Sequence, residues 1–131
     1  MAGVKMKLEA RDRCLELALI GDHESAIKRE LKKVLGLKKD GGRDVLIGES
    51  MEVLVWPAYV YSGKHRRPKV GTGVRVYAKE DRTTRPSTKE IYEAITTFCE
   101  EEYITYITTI DTGNISGLEE MGTAVLGSRW S

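Results

Sequence analysis

Between Val70 and Lys79 the chain alternates strictly. Val70, Thr72, Val74, Val76 and Ala78 take one side of an extended strand; Gly71, Gly73, Arg75, Tyr77 and Lys79 take the other. A period of two over ten residues can settle only in a β-sheet with one wall turned to a core, so any fold for this chain must supply that core. The first set is expected to face it. The second offers two glycines, two cations and a phenol. Glycines weaken a strand interior and mark a bulge or the close approach of another group.

Other segments carry the same period. Val4, Met6 and Leu8 alternate with Lys5, Lys7 and Glu9. Arg13–Ile20 fits either a strand through Leu15, Leu17 and Leu19 or a helical face; its shortness and Gly21 favour the strand. Val45–Ile47, Met51–Trp56 and Ala58–Ser62 read as further strands, with Pro57 marking an end, an edge or a bulge. In Met51–Trp56, Met51, Val53 and Val55 oppose Leu54 and Trp56, so both faces are expected to be covered. Tyr103–Ile110 is rich in Tyr, Ile and Thr and also reads as a strand. Leu118–Leu126 stays open between strand and short helix.

Two helices interrupt the strands. From Asp22, a candidate cap, Ile27, Leu31, Val34 and Leu35 form one apolar stripe that Gly36 can terminate. The second helix opens with the capping-box sequence Ser87-Thr88-Lys89-Glu90 and buries Ile91, Ala94, Ile95 and Phe98 beside Cys99. It ends in Glu100, Glu101 and Glu102, which oppose the helix dipole. Lys38–Arg43 is a turn. The expected fold is therefore α+β, a mostly antiparallel sheet with two helices packed on one face, in a single domain over residues 1–131.

The charge is unevenly spread. The net value of +1 conceals +7 over residues 64–89 and −7 over residues 90–131. The two stretches either neutralise each other within the fold or pair between copies of the chain; otherwise the basic one faces outward and attracts anions. The longest charge-free run, Val53–Gly63, is far short of the roughly 20 apolar residues of a membrane helix. Two cysteines and no apolar leader point to the cytoplasm.

A binding role emerges from the segment around the basic loop. Tyr59 and Tyr61 share a face of one strand, and a suitable hairpin register would set them beside Arg75 and Tyr77. With Lys64, Arg66, Arg67, Lys69 and Lys79 they would form an aromatic, basic wall suited to RNA or other single strands, because bases stack on rings while cations follow phosphates. No ribonucleoprotein, KH or helix-turn-helix pattern accompanies it. The bland reading is that Tyr–Arg pairs stabilise the sheet and the loop is a solvated turn.

A protein-interaction or homo-oligomeric subunit is the alternative, through the oppositely charged segments or an open strand such as Tyr103–Ile110. A small enzyme is a third, and would need His65 or the carboxylates Glu100–Glu102 and Asp111 to converge in a pocket. No catalytic residue is assigned. Cys14, His23, His65 and Cys99 lack zinc-module spacing, Cys99 fits a buried core position, and Gly41-Gly42-Arg43 lacks phosphate-loop spacing, so no metal or cofactor is expected.

Overall fold

The computed structural model describes residues 13–39, 45–48, 51–62, 67–78, 86–112 and 124–128. The elements are β1 (Arg13–Ile20), α1 (Glu24–Leu35), β2 (Lys38–Lys39), β3 (Leu46–Ile47), β4 (Met51–Ser62), β5 (Lys69–Ala78), α2 (Thr88–Glu101), β6 (Tyr106–Thr112) and β7 (Ala124–Ser128). They form one sheet of order β2-β3-β4-β5-β1-β6, with β7 also paired to β4. Every pairing is antiparallel.

Both helices cover the same side, as the apolar periodicities require. Leu15, Leu17 and Leu19 of β1, Val53 and Val55 of β4, and Val74 and Val76 of β5 share a core with Ile27 and Leu31 of α1 and with Ile91, Ile95 and Cys99 of α2. The alternation in β5 is kept, with one exception. Val70, near the start of the strand, is 46% exposed.

The opposite face has a small core of its own. Ala18 and Val60 are buried there against Ile20, Ile107 and Leu126, which come from β1, β6 and β7. Strands far apart in the sheet order thus meet across this face, so the sheet curls around it at that end. β4 is the reason. Its second edge pairs with β3 at Glu52 and Val53 and with β7 from Ala58 onward. Pro57 falls between those two partners, so two expected strands join into one: on that edge there is no ladder for its missing N–H to serve.

Helix termini follow local chemistry. Ser87 caps α2, its hydroxyl accepting from the Glu90 N–H at 3.2 Å. The expected Asp22 cap is not found: α1 begins after His23 with no side-chain cap. Instead the Thr72 hydroxyl accepts from the His23 N–H at 2.8 Å and donates to the Gly21 carbonyl at 2.9 Å, tying the helix entrance to β5. Gly21 has φ +98°, and a Cβ there would lie 2.6 Å from His23 Nε2. That nitrogen donates to the Ile20 carbonyl at 3.0 Å.

Some expectations shift by a few residues. Lys38 and Lys39 belong to a short ladder with Leu46 and Ile47 rather than to a turn alone. β6 starts at Tyr106 because Tyr103 and Ile104 complete the end of α2. Ala124–Leu126 resolves to strand. The Val4–Leu8 strand, residues 118–123 and Lys79 lie outside the described residues.

Candidate nucleic-acid interface

The register of the β4–β5 hairpin decides which candidates meet. Tyr59 stands opposite Val70, Leu54 opposite Arg75, and Glu52 opposite Tyr77. Directly paired residues share a face, so Tyr59 and Tyr61 lie on the helix-bearing side and Arg75 and Tyr77 on the other. The expectation that both tyrosines flank Arg75 and Tyr77 is overturned. A one-residue difference in pairing exchanges the faces of a strand, and the observed pairing gives Tyr59 and Tyr61 the face of Val53 and Val55.

Arg75 is also chemically engaged. Its Nε donates to Glu16 Oε2 at 2.5 Å, its Nη2 makes an ion pair with the same oxygen, and its Nη1 donates to the Tyr77 hydroxyl at 3.1 Å. Glu16 is 4% exposed. Its second oxygen accepts from the Thr109 hydroxyl at 2.6 Å. Thr109 reaches it because β6 shifts register opposite Glu16 and Leu17, a bulge that gives β1 one extra partner residue. The guanidinium lies 6.0 Å from the Trp56 ring centroid. Burial works to lower the Arg75 pKa, but the Tyr77 hydrogen bond and the Glu16 charge outweigh it and raise it. With its charge matched and each of its three nitrogens engaged, Arg75 is a structural cation, and Tyr77 is held by it.

The glycines of β5 serve this packing. Trp56 is paired with Gly73, and a Cβ on Gly73 would sit 2.4 Å from the indole carbons. A Cβ on Gly71 would meet Val60 at 2.4 Å and the Leu19 carbonyl at 2.6 Å. The close approach expected at both positions is by the protein's own neighbouring strands.

Tyr59, Tyr61 and Val70 remain open, at 38%, 45% and 46% exposure. The two tyrosines are adjacent on one face of β4, and β7 flanks them. Gly127 pairs with Tyr59, and a Cβ there would lie 3.1 Å from Tyr61 Cε2, so the Tyr61 ring leans across the bare backbone of β7. Arg67 and Lys69 are exposed at the adjoining hairpin end, Lys69 opposite Val60 and so at the strand end on the other face from the tyrosines. Lys64, Arg66 and Lys79 lie outside the described residues, as does His65.

Among the described residues the oppositely charged stretches meet little. Arg13 pairs with Asp111, and Arg75 with Glu16, so each segment finds partners in the first twenty residues. Among the described residues the contact between them is Lys89 with Glu93, 3.9 Å apart on the exposed face of α2. The carboxylates of a conceivable catalytic or metal cluster are also dispersed. Glu100–Glu102 lie at the end of α2, whereas Asp111 lines a cleft with Thr88 and Lys89 at its start, a helix length of about 20 Å away.

Both cysteines are buried, and burial pushes their thiols up, Cys99 to about 11. Neither is a nucleophile at neutral pH. No helix among the described residues is long and apolar enough to cross a membrane. No protein family, curated protein or solved structure matches the chain, so its site is read from geometry alone.

Proposed function

We propose that the protein binds RNA or another single-stranded nucleic acid along the β4–β7 edge of the sheet. Tyr59 and Tyr61 serve as stacking surfaces, and Arg67 and Lys69 contact phosphates. Lys64 and Arg66 of the same loop extend the basic stretch in sequence. Arg75 and Tyr77 are excluded, since Glu16 neutralises one and the first holds the other.

The single observation that carries this reading is the exposed pair of phenol rings, neighbours on one strand face near the hairpin end that also exposes Arg67 and Lys69. A monomeric domain gains nothing in stability by leaving two rings and Val70 uncovered on one face, whereas bases gain about 1–3 kcal/mol each by stacking on such rings.

The test is fluorescence titration of the full chain with a short labelled oligonucleotide at two salt concentrations. Joint Tyr59→Ala and Tyr61→Ala substitution is expected to abolish most of the affinity, and added salt to weaken it. Binding indifferent to both would refute the reading. A homo-oligomeric role is the second reading, favoured by β6, which ends the sheet order and has one strand partner among the described residues. Sedimentation of the purified chain as a monomer at tens of micromolar would remove it.

A further inference from the structure

A cleft of about 320 Å³ opens at the other end of the sheet, lined by Arg13, Leu15, Thr88, Lys89, Tyr92 and Asp111. The start of α2 forms one wall. Ser87 satisfies the Glu90 amide and its carbonyl takes the Ile91 amide, whereas the amides of Thr88 and Lys89 have no acceptor within the helix. They bring the positive end of the helix dipole to the cleft.

Two further features point to a ligand. Thr88 is 8% exposed, yet its hydroxyl has no hydrogen-bond partner among the described residues, an arrangement that costs stability unless something binds there. Arg13 is preset: its Nε donates to Asp111 Oδ1 at 2.9 Å and its Nη2 pairs with the same oxygen. Nη1 is left without an acceptor among the described residues. The carboxylate thus fixes the plane of a guanidinium that still has donors to offer, a planar fork suited to phosphate oxygens. Lys89, 3.9 Å from Glu93, adds a cation at the mouth, 82% exposed, and Tyr92 supplies an aromatic wall.

We propose that this cleft binds a phosphate dianion, either free or as the terminal group of a small phosphomonoester. Thr88, the first-turn amides of α2, Arg13 and Lys89 hold the oxygens; Tyr92 contacts whatever the phosphate is attached to. Asp111 positions Arg13 and does not touch the anion.

The experiment is a titration of the full chain with inorganic phosphate and with phenyl phosphate at constant ionic strength, read by amide chemical shifts. Both are expected to give saturable shifts at Thr88 and Lys89. Thr88→Val, which keeps the shape of the side chain, should weaken binding about tenfold, the value of one hydrogen bond to a charged group. Phenyl phosphate binding more tightly, with shifts at Tyr92, identifies a phosphomonoester site; equal affinity identifies a free-phosphate site.

Shifts that rise linearly without saturating, or a Thr88→Val protein that binds like the wild type, overturn the proposal. Should Thr88→Val fail to fold, Lys89→Ala at its exposed position decides, a loss of affinity supporting the site and no loss rejecting it. Oligonucleotide affinity through Tyr59 and Tyr61, at the opposite end of the sheet, is expected to be the same in both variants, so the two proposals fail separately.

Discussion

The indole of Trp56 lies on Gly73, its cross-strand partner, so closely that a Cβ on that glycine would come within 2.4 Å of two ring carbons. Trp56 is 8% exposed and has nowhere else to go without opening the face it shares with Arg75. Gly73→Ala is therefore expected to cost about 1–3 kcal/mol, the range of overpacked sites. Urea unfolding would measure it. In a Trp56→Ala background the clash is gone, and alanine then outranks glycine in a strand by about 0.5–1 kcal/mol. The sign of the Gly73→Ala effect should reverse there. Two costs that simply add would refute the contact.

The Glu16–Arg75 pair makes an unequal prediction for its two halves. Removing one partner of a buried pair costs about 3–5 kcal/mol because it strands the other charge. The Glu16 side chain is 5% exposed and that of Arg75 34%. Arg75→Met strands a carboxylate that water cannot reach and should cost about 3 kcal/mol, the low end of that range. Glu16→Gln leaves a guanidinium with access to solvent and should cost clearly less. Denaturant midpoints of both variants check the order. Neither is expected to alter oligonucleotide affinity while folded, which separates this network from the proposed interface.

Much of this was legible before any coordinates. The period of two in β5 fixed its core-facing set, and the two helical stripes with Gly36 and Ser87 fixed both helices. The division of the candidate site was not legible, because it turns on pairing parity. Tyr59 meets Val70 rather than a residue on the Arg75 face, and a strand end or bulge at Pro57, open in the sequence, would have reversed the parity that Tyr59 shares with Val53 and Val55. Glu16 did leave a trace, as the one charge inside Cys14–Leu19. An acid amid buried apolar neighbours demands a cation, and Arg75 occupies the equivalent place in β5. The bulge that delivers Thr109 has no sequence mark, since neither glycine nor proline is needed to form it.

Tyr103 terminates α2 in a conformation that suits glycine. It has φ +57°. Its N–H donates to the Glu100 carbonyl at 3.4 Å and that of Ile104 to the Cys99 carbonyl at 2.8 Å, the Schellman pattern. The side chain is 95% exposed, so it gains nothing from packing. Tyr103→Gly should stabilise the protein by about 1 kcal/mol, the cost of the left-handed conformation for a residue with a Cβ. A lowered melting temperature would mean that the ring has a contact beyond the described residues.

Alkaline pH should destabilise the fold through Cys99. Burial raises this thiol from 9.0 to about 11 in the folded chain. Between those values the unfolded chain loses a proton that the folded chain keeps, so stability is full below pH 9 and falls as pH rises toward 11. Cys14 is raised by the same cause and contributes in the same direction. Unfolding free energies measured from pH 8 to 11 should decline, and Cys99→Ala should reduce the slope even though it lowers stability at pH 8. In the native state iodoacetamide should label neither thiol faster than the chain unfolds.

Salt dependence gives the sharpest quantitative check on the interface. Each phosphate neutralised on a single strand contributes about −0.7 to the slope of log K against log salt. Arg67 and Lys69 are both exposed at the hairpin end of β4 and β5. Their joint replacement by alanine should therefore flatten the slope by about 1.4 if each contacts one phosphate. Tyr59→Ala and Tyr61→Ala remove stacking without removing charge, so they should lower affinity at every salt concentration and leave the slope unchanged. The two sets of variants must separate in this way for rings and cations to play the distinct roles assigned to them. Tyrosine variants that flatten the slope would show the rings acting only by holding the cations in place.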